Sequence, residues 1–354
     1  MNNKLTVAVV FGGQSSEHDV SCMSGLTIMK ALDREKYDLV LIGITKDGRW
    51  LLADSMEDVE SGVWRNSKIQ AVLSPDEQDH GLILSEDGRS WKQRVDVIFP
   101  VLHGMYGEDG TIQGLFELAK IPYVGCGVLA SSVSMDKWYT KIVVDDLNIR
   151  QAKYVPINHI EMRNIEECVA KVEAALSYPV FVKPSKAGSS VGVNKASDRE
   201  ELKTALKEAV KHDIHILVEE TIVGREIECA VLGGYAPEAS DVGEVLSAED
   251  FYTFDAKYNN QESKTDLHPV FPEGKMEEVR ADAVKIFKAL DGFGCARVDF
   301  FMEKDTNEVV FNEINTMPGF TSISMYPMLW NEKGLDNGAL VDKMIQLAFE
   351  RYVR

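Results

Sequence analysis

Near the C-terminal end, the run CARVDFFM (295–302) is followed by a polar turn at 303–307 and by EVVFNEIN (308–315). A hairpin centred on Thr306 sets Asp299 opposite Glu313 and Arg297 opposite Asn315. Strand side chains alternate faces with a period of two, so all four share one face. Carboxylates directly opposed in a sheet repel one another. A hard divalent cation relieves that repulsion, and Mg²⁺ takes one or two carboxylates while phosphate oxygens and water complete its octahedron. A solvated face on which Arg297 bridges both acids fits the same residues. The hairpin alone does not choose between these readings.

Other segments add weight to the first. FVKPSKAGSSVG (181–192) leaves a strand through Lys183 and enters a Gly/Ser loop. Such a loop can wrap a phosphate with backbone N–H groups while lysine supplies charge. It is not a Walker A loop, and a polar turn between strands is the plainer account of it. Lys137 falls in the first turn of a helix that Ser134 could cap, where a cation opposes the helix dipole; a nearby anion would explain it, although exposed lysines often break that rule at little cost. Two loops, GGQSSEHDVS (12–21) and HGMYGEDG (103–110), each follow a buried run and precede a helix, carrying Glu17 and Glu108. In open parallel sheets ligands bind at such strand ends. A carboxylate there can hold an ammonium, although compensation of helix charge also explains it. His103 alone reads as a loop or core histidine as readily as a base.

The elements that must position these groups begin with an apolar run at 5–12, a helix at 19–32 and a second apolar run at 37–46, closed by the turn Asp47-Gly48. That succession is a βαβ unit and predicts a parallel sheet. Residues 54–92 read as a hairpin-rich insertion, 95–100 as another strand and 111–120 as a helix. A helix from 134 to about 146, strands at 153–156 and 179–183 and a charged helix at 198–212 follow. Strands at 214–219 and 226–232 are expected to open a third region, which ends in a helix at 339–352. The polar stretch 247–269 lacks any period, and loops of that length are usually functional or disordered. The fold class is therefore α/β with α+β character, an N-terminal open parallel sheet, and three domains at 1–125, 126–215 and 216–354.

Length supports this division, since 354 residues correspond to two or three domains. A formal net charge of −19 leaves no basic face for nucleic acid and opposes binding to an anionic membrane. The five cysteines are scattered, with no C-x-x-C pair, which points to a reducing compartment, the cytoplasm, rather than to disulfides or structural zinc. No signal sequence and no long apolar span is visible.

Taken in order, GGQSSEHDVS (12–21), HGMYGEDGTIQG (103–114), MDK (135–137), VKPSKAGSSVG (182–192), VEE (218–220), FDAKY (254–258), ARVDFF (296–301) and NEINTMPGFTSISMYP (312–327) closely resemble the motifs of the D-alanine–D-alanine ligase branch of the ATP-grasp family. The resemblance covers nearly the whole chain. It implies a three-domain ATP-grasp fold with ATP clamped between the second and third domains. Lys137 and Lys183 would contact its phosphates, Glu219 the adenine amino group and Glu226 the ribose. Asp299, Glu313 and Asn315 match the ligands of two Mg²⁺ (or Mn²⁺) ions. Glu17 would bind the ammonium of the first D-alanine, with His103 near its carboxylate, and Ser189 and Tyr258 would join Glu17 in a triad that closes the 247–269 loop over the site.

Arg297 and the Gly319 N–H would form the oxyanion hole, while Ser324 and Met325 line the second D-alanine site. The implied reaction makes a D-alanyl phosphate that a second D-alanine amine attacks, supplying a peptidoglycan precursor for the cell wall. Lys257, Tyr258 and Met325 favour alanine in the second site over D-lactate or D-serine. Glu220 and Thr221 depart from the lysine and aromatic found beside adenine in some members. A non-catalytic nucleotide-binding regulator would lack a metal ligand or an oxyanion residue, and none is missing. The family suggests a homodimer whose partners are small molecules, not nucleic acid or membrane.

Overall fold

The computed structural model describes residues 4–186, 188, 191–246 and 264–352. The chain opens with strand β1 (Leu5–Gly12), helix α1 (His18–Ala31) and strand β2 (Tyr37–Ile44). Strand β3 (Trp50–Ala53), helix α2 (Met56–Ser61) and strands β4 (Gln70–Leu73), β5 (Gly81–Glu86), β6 (Arg89–Arg94) and β7 (Val97–Val101) follow. They form one sheet in the order β6-β5-β4-β3-β2-β1-β7. β1 pairs in parallel with β2 and β7, as the buried apolar runs predict. The parallel expectation stops there, because β3 to β6 add antiparallel strands. The 54–92 insertion thus extends the sheet instead of standing apart from it.

Helix α3 (Thr111–Ala119) leads to α4 (Val128–Met135) and α5 (Lys137–Asp145). A single helix over 134–146 is expected from sequence, but the chain breaks at Asp136, whose φ and ψ are −90° and 97°. The reason is tertiary. The Asp136 carboxylate is held by the Ser185 hydroxyl and by His215 Nδ1 at 2.9 Å, which pins it out of helical conformation.

The second sheet contains β8 (Tyr154–Asn158), β9 (Val180–Pro184), β10 (Asn194–Ala196) and β11 (His215–Glu220), in the order β10-β9-β11-β8. Helices α6 (Ile165–Ala175) and α7 (Arg199–Ala209) complete its core. α7 starts on Asp198, which accepts hydrogen bonds from the Glu200 and Glu201 N–H groups. β11 corrects the expectation that strand 214–219 opens the third region, because it pairs with β8 and β9.

The third sheet is antiparallel and comprises β12 (Gly224–Gly233), β13 (Glu238–Leu246), β14 (Lys264–Asp266), β15 (Gly294–Glu303) and β16 (Val309–Asn315), in the order β14-β13-β12-β15-β16. Helices α8 (Lys275–Ala289), α9 (Met325–Glu332) and α10 (Asn337–Tyr352) pack around it. Leu340 and Met344 of α10 share one core with Val9 and Phe11 of β1 and with Ala230 and Cys295 of the third sheet. The first and third sheets are therefore welded together by apolar burial, while the second keeps a core of its own. Among the described residues no helix is long and apolar enough to cross a membrane.

Candidate active site

The carboxyl ends of β1 and β7 lie side by side, with Phe11 paired to Val101, so the two glycine-bearing loops that follow them meet. The Ser15 hydroxyl donates to the His103 carbonyl at 2.6 Å and accepts from the Glu17 N–H at 3.1 Å. Glu17 ends up buried, with its carboxylate against two glycines. A Cβ built on Gly104 would stand 2.6 Å from Glu17 Oε2, and one on Gly188, from the second domain's Gly/Ser loop, 2.9 Å. Gly104 also has a φ of +72°, which disfavours other residues. Both glycines thus leave room for the Glu17 carboxylate.

Behind Glu17, the loop after β16 is stapled to the first domain. His103 Nδ1 lies 2.9 Å from the Met317 carbonyl, so it carries the proton and donates. Nε2 then accepts from the Ser24 hydroxyl at 3.1 Å, and Ser24 accepts from the Phe320 N–H at 3.0 Å. Burial lowers the His103 pKa, which keeps the ring neutral as this relay requires. The Glu108 carboxylate accepts from the Gly104 and Met317 N–H groups at 2.8 Å each. Burial and the nearby Glu17 charge push its pKa up to about 7. Sequence reasoning placed His103 beside substrate and read Glu108 as a loop carboxylate that could hold an ammonium or offset helix charge. In the structure both fix the segment that carries Gly319.

The hairpin expectation holds where it matters. Asp299 is the Cα partner of Glu313 and Arg297 of Asn315. Beyond Asp299 a bulge shifts the register, so Phe300 faces Phe311. The reading in which Arg297 bridges Asp299 and Glu313 is not what forms. Arg297 makes a fork to Asp299 at 2.8 and 2.7 Å and reaches Glu228 at 3.0 Å, while Glu313 lies 3.2 Å from Lys137 Nζ. Asn315 Nδ2 donates to Asp299 at 3.0 Å. Glu228, which sequence reasoning passed over, is two residues from Glu226 and directly opposite Asp299, a relation the strand period could have revealed.

Lys137 begins α5, as expected, but Asp136 rather than Ser134 is the cap residue. The cap is relayed, since Ser185 Oγ donates to Asp136 and accepts from the Trp138 N–H at 2.9 Å, while the Ser185 carbonyl accepts from the Lys137 N–H at 3.1 Å. This joint brings the end of β9, and with it Lys183, against the start of α5. Lys183 Nζ lies 2.5 Å from Glu219, whose second oxygen lies 2.8 Å from Lys141 Nζ. Against the penalty of burial, the two lysines hold the Glu219 carboxyl down at about 2. Glu219, Glu313 and Glu226 raise the Lys183 pKa in turn.

Many of these groups surround one cleft, open to solvent. Glu17, His103, Lys137, Glu226, Arg297, Asp299, Glu313, Asn315, Gly319, Ser324 and Met325 all line it. Lys183 and Glu219 sit deeper, on the second sheet. Ser189, Lys257 and Tyr258, together with most of the 247–269 loop, lie outside the described residues. Chemically, the cleft offers a carboxylate for a cationic substrate group, a lysine and an opposed acid pair. Among the described residues no three His, Cys, Asp or Glu side chains gather closely enough to hold a metal by themselves. Two carboxylates and an amide supply only part of an oxygen shell, which suits an ion that takes its remaining ligands from phosphate and water.

Comparison with known proteins gives the same result from end to end. Residues 6–126 match the family described as D-ala D-ala ligase N-terminus, and residues 143–346 the family described as D-ala D-ala ligase C-terminus. A D-alanine–D-alanine ligase of Acetivibrio thermocellus is 51% identical, covering 99% of this chain and 98% of the relative. One from Clostridium novyi is 48% identical over 98% of this chain and 99% of the relative. Among solved structures, the VanG D-Ala:D-Ser ligase of Enterococcus faecalis superposes with a TM-score of 0.89 at 37% identity, covering 98% of this chain and all of the other. The D-alanine–D-alanine ligase of Coxiella burnetii gives 0.85 at 34%, covering 99% of this chain and 95% of the other. The chain belongs to the D-alanine–D-alanine ligase family and has its ATP-grasp fold.

Proposed function

We propose that this enzyme joins two D-alanine molecules at the expense of ATP, giving D-alanyl-D-alanine, ADP and phosphate for peptidoglycan synthesis in the cytoplasm. The observation that carries this reading is the placement, in one cleft, of the Glu17 carboxylate together with Lys137, Arg297 and the opposed pair Asp299 and Glu313. Glu17 orients the first D-alanine by its ammonium. That leaves the substrate carboxylate directed toward the ATP γ-phosphate, which Lys137 and Lys183 hold by charge. Phosphoryl transfer demands alignment and charge neutralisation more than covalent participation. Transfer gives the acyl phosphate, and attack by the second amine expels phosphate through a tetrahedral intermediate. Arg297 and the Gly319 N–H supply donors to its oxyanion.

Asp299, Glu313 and Asn315 would hold two Mg²⁺ or Mn²⁺ ions. Bound there, such ions neutralise charge on the transferring phosphoryl oxygens. Ser189, Lys257 and Tyr258 are assigned to closure over the site, because an acyl phosphate must be kept from water. Glu219 and Glu226 are assigned to the nucleoside, and the protein is taken to act as a homodimer.

D-Serine in the second site is the other reading, favoured by the close superposition on a D-Ala:D-Ser ligase. Met325 argues for alanine. It is buried, lines the cleft, and offers sulfur and methyl groups to the second substrate where a hydroxyl would want a polar partner. The test is phosphate release from ATP with D-alanine, D-serine or D-lactate, singly and in pairs. Release with D-alanine alone is expected, and its absence refutes the proposal.

A further inference from the structure

Lys141 has no place in the chemistry above, yet it is one of the most deeply buried large side chains of the molecule, at 2% exposure. It lies one turn beyond Lys137 on α5, so both project from the same side of the helix. Its ammonium lies 2.8 Å from Glu219 Oε1 and 3.4 Å from the Ala152 carbonyl, and it stands over the Tyr154 ring at 5.3 Å. A buried ammonium is tolerated only when so paired. Glu219 shares its other oxygen with Lys183.

We infer that Lys141 is a positioning residue for nucleotide binding, holding the buried Glu219 carboxylate so that Lys183 can leave it for the ATP phosphates. The inference rests on the proposed use of ATP at this site. Lys183 has one ammonium and two claims on it, namely Glu219 in this structure and the phosphates during turnover. Moving it away from Glu219 strips a buried carboxylate of one partner, which is costly if nothing else neutralises that charge. Lys141 supplies a second cation that does not have to move. It is anchored on an α5 whose start is fixed through Asp136 and Ser185, and it is buried and not among the residues that line the cleft. Without it, Glu219 and Lys183 become an isolated buried pair and Lys183 is retained.

The experiment is calorimetric titration of the full-length protein with ATP and Mg²⁺, without D-alanine, followed by steady-state kinetics. Lys141→Met should weaken ATP binding at least about tenfold. The KM for D-alanine at saturating ATP should stay within about twofold. Lys141→Arg keeps the charge and should bind ATP within about twofold of wild type, which a purely steric role would not allow. In a Glu219→Gln background the acid no longer holds Lys183, so Lys141→Met should cost at most about twofold more. If Lys141→Met does not fold, Lys141→Gln takes its place, with a smaller loss of the same pattern. ATP affinity unchanged in the Met or Gln variant overturns the inference. So does Arg failing as badly as Met, or an undiminished effect in the Glu219→Gln background. A wild-type protein that binds no ATP removes the functional reading as well, whereas normal wild-type binding with an indifferent Lys141 removes this inference alone.

Discussion

Glu313→Gln separates the charge of the opposed pair from its shape. Glutamine keeps the length and one oxygen of the side chain, so packing along β16 is unchanged. In the ligand-free protein two electrostatic effects nearly offset each other. The Lys137 ammonium 3.2 Å away attracts Glu313, a gross interaction of about 5 kcal/mol at an effective dielectric near 20. Asp299, directly opposite, repels it by about 3 kcal/mol at the usual cross-strand spacing of roughly 5.5 Å. Removing the charge removes both, along with a more distant attraction to Lys183, so global stability should fall by about 2 kcal/mol, the difference between the two larger figures before desolvation is counted. Turnover should respond far more strongly. A cation between Asp299 and Glu313 contributes several kcal/mol to a phosphoryl-transfer transition state, and losing one of its two anionic ligands should forfeit about 3–4 kcal/mol, or roughly 10²–10³ in kcat. Phosphate release at saturating ATP, Mg²⁺ and D-alanine measures the rate, and urea unfolding measures the stability. A variant that keeps more than about a tenth of wild-type kcat refutes the metal assignment. A variant that loses rate only in proportion to lost fold shows instead that the pair is structural.

Three further substitutions test neighbouring claims. Arg297→Lys retains a cation but not the fork, and kcat should fall by about 10²–10³ while ATP affinity, measured by titration, changes little; unaltered kcat removes Arg297 from the oxyanion hole. Gly243→Ala would place a Cβ 2.4 Å from Met325 Sδ, forcing that side chain toward the cleft. The KM for the second D-alanine should rise about tenfold with the first site unaffected, and an unchanged KM would show that Met325 does not bound the second site. Glu108→Gln tests the raised carboxyl. Its folded pKa of about 7 lies above the ordinary 4.5, so the native state binds a proton more readily than the unfolded one between these values, and stability from this group is lost as pH rises through that window. The glutamine variant lacks that loss. Its amide nitrogen cannot accept from one of the two backbone N–H groups, a loss that does not depend on pH, but its stability relative to wild type should rise by up to roughly 3 kcal/mol from about pH 4.5 to pH 8 in urea unfolding, and parallel stability profiles would refute the assignment.

What could be read from sequence depended on whether the deciding forces were local. The pairing of Asp299 with Glu313 was legible because a short turn fixes the register of a hairpin and a period of two fixes its faces. The bulge one residue later was not, because no glycine or proline marks it and packing beneath Phe300 and Phe311 decides it. The break between α4 and α5 was hidden for a similar reason. Asp136 is drawn out of the helix by Ser185 and His215, 49 and 79 residues away. β11 follows the pattern of any buried strand, and nothing local says which sheet it joins.

Lys141 is the clearest case. Four residues beyond Lys137, it drew no reading from sequence, and the fold buries it against a carboxylate on β11. The same distinction governs the charge of the whole molecule. A net charge of −19 argues against anionic partners, yet the cleft is arranged to bind one. It can do so because three acids in or beside the cleft are already matched: Glu219 by two lysines, Asp299 by Arg297, Glu313 by Lys137. An anion entering this site meets cations held in place by carboxylates. The acidic residues are then the means by which lysines and arginine are kept rigid and desolvated where phosphate must sit, and the overall sign of the protein matters little at that distance because salt screens it within about 10 Å.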